Sequence, residues 1–300
     1  MSDRARAVPS SSVLFPVLLV LAAMVSLQIG ASLAKGLFPV VGTPGTVALR
    51  LGMGAAILCA VLRPWRVLTG SGIAPATLRA VLVYGASLGV MNLTFYMSLR
   101  TVPLGISVAL EFVGPLAVAL AGARRMVDVL WVVLAVAGLL LLLPVSGIEE
   151  GVDPVGAGYA LAAGACWAIY ILFGKKAGSD LGTRGSALGA LVAAVLVVPV
   201  GVADAGTALL DPAVLLPGLG VAVLSTALPY ALEITALSRL PSATFGTLMS
   251  AEPAIAALCG LAFLGETLSL LQWLAIAAVI AASAGATATI RPDGPRHGAD

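Results

Sequence analysis

Apolar runs about twenty residues long, separated by short polar stretches, recur along the whole chain. They fall at roughly 13–34, 43–62, 78–97, 102–121, 128–145, 155–174, 184–203, 214–236, 243–264 and 268–289. At about 1.5 Å per residue, a helix of that length crosses the roughly 30 Å hydrocarbon core of a bilayer. The pattern predicts ten transmembrane helices with little chain left for a soluble domain. The expected class is an all-α polytopic membrane protein.

Composition sharpens this. Of 300 residues, 60% are hydrophobic and only 10% charged, far from the balance of soluble domains. The first run follows Arg4 and Arg6 as a signal peptide would, but it lacks a cleavage pattern and is long enough to span, so a retained first helix is expected. Cys59, Cys166 and Cys259 lie in apolar runs and read as small buried residues rather than a disulfide or metal framework. The single histidine, His297, is in the polar tail. No mid-membrane Ser–Lys or Asp pair and no phosphate-binding or nucleic-acid motif is present. Neither an enzyme nor a metal site, cofactor or nucleic-acid partner is therefore expected.

Charge placement orients the chain. With the N-terminus in the cytoplasm, most of the 16 basic residues, Arg63, Arg66, Arg79, Arg124, Lys175 and Lys176 among them, fall in inner loops, and Glu149, Glu150, Asp153, Asp204, Asp211 and Glu266 fall outside. That is the positive-inside bias. Both tails, 1–12 and 290–300, are then cytoplasmic.

An internal repeat underlies the helices. Pro103 and Pro115 have counterparts Pro241 and Pro253, each 138 residues later, and the same shift sets VPLGISVALEFVGP against LPSATFGTLMSAEP. The acid within moves by three positions, about one helical turn, from Glu111 to Glu252. The halves, 13–145 and 155–289, hold five helices each, and an odd number inverts the second. Two inverted five-helix repeats are a transporter signature, with the substrate site near midplane.

The ionisable residues inside the runs are the candidates for that site. A carboxylate at mid-membrane costs about 2.5–3.5 kcal/mol on insertion scales, so Glu111 must face protein or water. It can carry a proton, hold a substrate ammonium, or pair structurally with Arg50 or Lys35. Ser107, Gly114 and Pro115 share its helix face. Glu252, with Pro253 behind it, has similar depth, and Glu233, with Pro229 and Tyr230 before it, is either an inner gate or a partner of Arg239. Pro115, Pro229 and Pro253 are expected to kink their helices. Arg50, placed nearer the outer side of the second span, and Lys35, ending the first, offer donors to a substrate carboxylate, Arg50 as a bidentate fork. Gln28, Asn92, Tyr96, Trp167 and Tyr170 either line the cavity or serve as helix contacts. Asp128 and Glu266, again 138 residues apart, are expected to cap the fifth and tenth helices.

Five stretches carry a family likeness: ASLAKGLFPVVGTPGTVALRL (31–51), VPLGISVALEFVGPLAVAL (102–120), GACWAIYILFGKKAG (164–178), LSTALPYALEITALSRLP (224–241) and TFGTLMSAEPAIAAL (244–258). With them the chain, over about 14–290, resembles the threonine/homoserine exporters of the drug/metabolite transporter superfamily. The resemblance implies two EamA-type repeats, ten helices, and a bacterial inner-membrane carrier that exports threonine and homoserine in exchange for protons. The alternatives are a carrier of the same architecture for another metabolite or drug, or one that runs as an importer. The low aromatic content, 5%, favours a small polar solute over a drug.

Overall fold

The structure, a computed structural model, describes residues 10–68, 73–121, 126–142, 152–237 and 248–289. Those residues are helical throughout apart from short turns. In order they form α1 (Ser10–Lys35), α2 (Phe38–Leu62), the short α3 (Trp65–Leu68), α4 (Pro75–Ser98), α5 (Leu104–Glu111), α6 (Val113–Leu120), α7 (Met126–Leu142), α8 (Pro154–Leu181), α9 (Thr183–Ala205), α10 (Pro212–Ala222), α11 (Leu228–Leu237), α12 (Glu252–Leu264) and α13 (Leu270–Thr289). A single π-helical turn, Val223–Ala227, joins α10 to α11. Pro241 and the basic residues Arg4, Arg6, Arg124, Arg125, Arg239, Arg291 and Arg296 lie outside the described residues.

Helix starts follow local chemistry. Proline opens α4, α8 and α10, where its missing amide costs nothing. Asp153 and Asp211 cap α8 and α10 by accepting from the first amides. The Thr101 hydroxyl and the Gly156 amide hold the Asp153 carboxyl below the usual carboxylate range. Ser269 and Gln272 close the start of α13 reciprocally, Ser269 N donating to Gln272 Oε1 at 2.9 Å and Gln272 N to Ser269 Oγ at 3.3 Å. In α2 the chain turns at Gly42, whose φ of 66° and ψ of 173° suit only glycine.

Six helices among the described residues are long and apolar enough to cross a membrane. Two of the ten expected spans, both with a proline expected to kink them, are broken. The fourth run divides at Phe112 into α5 and α6, and in the ninth the helix described begins only at Glu252. Both interruptions fall at a carboxylate followed by proline. Pro115 has no amide for the Glu111 carbonyl and its ring crowds it, which ends α5 there. Pro253 sits in the first turn of α12, the position a helix tolerates best.

The helices pack in pairs. α4 lies along α8, α2 along α9 and α7 along α13; α5 crosses α12; α1 runs beside α10, the π turn and α11. Arg63, Arg66, Arg79, Lys175, Lys176 and Arg184 are all exposed at one end of the bundle. Close approach depends on small residues. A Cβ on Gly105 would meet the Ala257 backbone where α5 crosses α12, and one on Gly164 would run into the Glu111 carbonyl. Gly164→Val is expected to force α8 away from the α5–α6 break and to destabilise the fold by about 1–3 kcal/mol. Thermal unfolding in detergent measures this; an unchanged midpoint would show that the two backbones are not in contact.

Candidate functional site

A cavity of about 440 Å³ lies between α1, α2, α4, α5, α8 and the α10–α12 stretch. Gln28, Arg50, Asn92, Glu111, Trp167, Tyr170, Glu233 and Glu252 all line it, as does Pro229. Residues scattered over more than two hundred positions thus share one space.

Arg50 is the middle residue of α2, deeper than the outer position expected from sequence. Its guanidinium donates to the Asn92 side-chain oxygen and, through Nη2 at 3.1 Å, to the Ser225 carbonyl. It also lies 5.2 Å from the centre of the Tyr96 ring. It makes no ion pair with Glu111 within 4 Å among the described residues. The Ser225 carbonyl is available because Pro229, four residues on, has no amide to give it. In the π turn the Leu228 amide reaches back to Val223, which leaves the Leu224 carbonyl to the Ser26 hydroxyl at 2.7 Å. The kink expected at Pro229 is therefore a π turn whose two released carbonyls tie α1 and α2 to the eighth span.

Gln28 and Glu252 meet across the interface of α1 and α12, Gln28 Nε2 donating to Glu252 Oε1 at 3.1 Å. Gln28 is 2% exposed and Glu252 4%. Gln28 Oε1 and Glu252 Oε2, together with Arg50 Nε, are buried without a hydrogen-bond partner. A buried polar atom left so costs roughly 1–3 kcal/mol, and all three belong to residues that line the cavity. Glu111, also buried, has no hydrogen bond to another described residue and lies within electrostatic range of both Glu252 and Arg50.

Tyr170 stacks on Tyr84 with ring centres 4.7 Å apart, toward the basic end of the bundle, and Trp167 meets Phe112 edge-on at 5.4 Å. Tyr230 and Glu233 complete that mouth. Tyr96 is fully buried behind Arg50 rather than in the lining.

Lys35 stands apart from the cavity. Its Nζ is 2.6 Å from Glu266 Oε1, and Glu266 Oε2 accepts from the Leu104 amide at 2.7 Å. Glu266 therefore caps α5 rather than the tenth helix it precedes. The side chain of Asp128 lies outside the described residues. The Lys35–Glu266–Leu104 clasp and the Thr101–Asp153 bond, 2.6 Å long, close the end of the bundle opposite the basic rim.

Sequence reasoning missed Ser26, Ser225 and Tyr84. A proline four residues after Ser225 was the available signal for its carbonyl. Tyr84 carried none, because its place is set by Gly174 and Gly189, where any Cβ would meet its ring.

A bundle of helices around a small cavity, largely apolar but holding a few buried polar groups and closed at one end by an ion pair, is the architecture of a membrane carrier. The EamA-like transporter family matches residues 154–288. The chain is 58% identical over 276 residues to the threonine/homoserine exporter RhtA of Salmonella typhimurium strain LT2, covering 92% of each. It is 56% identical over 278 residues to the exporter of the same name from Escherichia coli strain K12, covering 93% of each. A crystal structure of a protein 20% identical in sequence shares the fold, with a TM-score of 0.54 over 94% of this chain and 98% of its own. The chain belongs to the RhtA-type exporters of the EamA family. It is a multi-pass protein of the bacterial inner membrane and a transporter, not an enzyme.

Proposed function

We propose that this protein exports threonine and homoserine from the cytoplasm in exchange for protons, by alternating access of two inverted five-helix repeats, 13–145 and 155–289. The unsatisfied cavity atoms carry the reading: one buried guanidinium donor and two buried acceptors, in a small space, complement an amino acid's carboxylate, ammonium and hydroxyl. The relatives named as threonine/homoserine exporters support the cargo.

The helix contacts support the repeat. Taking α5 with α6 as the fourth span and the α10–α11 stretch as the eighth, the first packs on the eighth and the third on the sixth. The second packs on the seventh, the fourth on the ninth and the fifth on the tenth. Exchanging the two halves maps this set onto itself, as a two-fold in the membrane plane requires. The closed clasp at Lys35 and Glu266 fits a carrier whose cavity opens toward the basic, cytoplasmic rim.

Within the cavity Arg50 holds the substrate carboxylate and Glu252 the ammonium, while Glu111, which has no hydrogen bond among the described residues, carries the proton. Labelled threonine loaded into proteoliposomes should leave faster when an inward proton gradient is imposed. Efflux indifferent to both threonine and homoserine would remove the cargo assignment and leave only the carrier.

A further inference from the structure

We propose that Gln28 is the specificity residue of this cavity, its amide oxygen Oε1 accepting the hydrogen bond of the substrate's side-chain hydroxyl. The inference rests on reading the cavity as an amino-acid site.

The orientation of the Gln28 amide follows from its partner. The amide nitrogen donates to Glu252 Oε1 at 3.1 Å, which turns Oε1 elsewhere. There it is buried without a hydrogen-bond partner. Its own helix flanks it with Leu27 and Ala31, so the cavity wall around it is largely apolar.

Several other polar groups of the lining are engaged. Asn92, the second amide in the lining, has its oxygen bound by Arg50, and its nitrogen donates to the Leu88 carbonyl at 2.8 Å. The Ser225 hydroxyl donates to Val221 at 2.6 Å. The phenols of Tyr84 and Tyr170 face one another at 3.4 Å. Glu252 Oε2 is the counterpart of the ammonium. Of the two buried acceptors on lining residues that lack a hydrogen bond, Gln28 Oε1 is the one on an uncharged side chain, and its amide is held by Glu252, so one side-chain pair reads both the ammonium and the hydroxyl.

A site built to bond a hydroxyl rejects the analogue that lacks it, because the buried acceptor is then stranded. The test compares threonine with 2-aminobutyrate, which keeps the ammonium and carboxylate and lacks the hydroxyl, as competitors of labelled threonine in counterflow. Wild type should prefer threonine by at least about tenfold. Gln28→Met, which keeps side-chain length without an amide, should reduce that preference to within about threefold, whatever happens to the absolute rate. Gln28→Asn keeps the amide and withdraws it by one methylene; it should shift preference from threonine toward homoserine, whose hydroxyl reaches one carbon further.

Should Gln28→Met retain the wild-type preference, or Gln28→Asn leave the threonine-to-homoserine ratio unmoved, Gln28 does not read the hydroxyl. Should wild type recognise none of the three amino acids, the cargo reading fails first and takes this inference with it. Should Gln28→Met fold poorly, the ratio in Gln28→Asn decides.

Discussion

Glu111→Gln is expected to abolish the acceleration of threonine efflux by an inward proton gradient, while threonine-for-threonine exchange persists at a reduced rate. Glutamine matches the shape of glutamate and cannot load a proton. The buried Glu111 carboxylate has no hydrogen bond to another described residue, and among the described residues the more distant Arg50 is the cation that acts on its charge. On the proposed reading a carboxylate in that position is neutralised by a proton or by the substrate ammonium nearby, and the alternation of the two would couple their movements. With one-to-one exchange, each pH unit is worth about 1.4 kcal/mol, or about a tenfold substrate gradient. Wild-type efflux should therefore rise as the outside pH falls at constant inside pH, and the Glu111→Gln profile should be flat. Glu252→Gln in parallel identifies which acid does this. If the gradient effect survives in Glu111→Gln and disappears in Glu252→Gln, the proton belongs to Glu252 and the two roles are exchanged.

The second large effect is expected at Arg50. Arg50→Ala removes the only basic side chain that the described residues place in the cavity lining and leaves substrate carboxylates without that counter-charge. Truncating one member of a buried hydrogen-bonded charge pair costs about 2–4 kcal/mol, or roughly 30- to 1,000-fold in affinity. Arg50→Lys should recover only part of this, because an ammonium cannot donate at once to Asn92, to the Ser225 carbonyl and to a carboxylate in fork geometry. Arg50 also ties α2 to α4 and to the eighth span, so lost activity alone would not separate binding from folding. Threonine amide, which lacks the carboxylate, provides the separation. In wild type it should compete far less well than threonine; in Arg50→Ala the two should compete about equally. A variant that still prefers threonine by the wild-type margin would show that the carboxylate is held elsewhere.

The membrane class of the fold was legible because burial in lipid imposes a length and a composition on every crossing. Gln28, Glu111, Glu233 and Glu252 were legible as candidates for the same reason: polar groups are expensive there and need a purpose. The roles of Lys35 and Glu266 were not legible. They are 231 positions apart, and nothing local to either shows that they meet, or that Glu266 caps a helix other than the one it precedes. The proline spacing pointed to bent helices, but where each bend falls depends on the carbonyls four residues earlier and on what receives them. Ser225 is received by Arg50; Glu111 is closed over by Gly164 of a helix some fifty positions away.

By itself, the sequence determined that this chain is a helical membrane protein, which end of the bundle is basic, and which few ionisable residues lie within the spans. Hydropathy, charge bias and residue spacing are local or additive quantities, so they survive without coordinates. Only the tertiary structure decided that Arg50, Gln28, Glu111 and Glu252 line one cavity, that Lys35 leaves it for a clasp with Glu266, and that a polar atom each of Gln28, Arg50 and Glu252 is buried without a hydrogen-bond partner. Those facts depend on how helices remote in sequence rotate and approach, which is set by packing at positions such as Gly105 and Gly164, where one added methyl group would have no room.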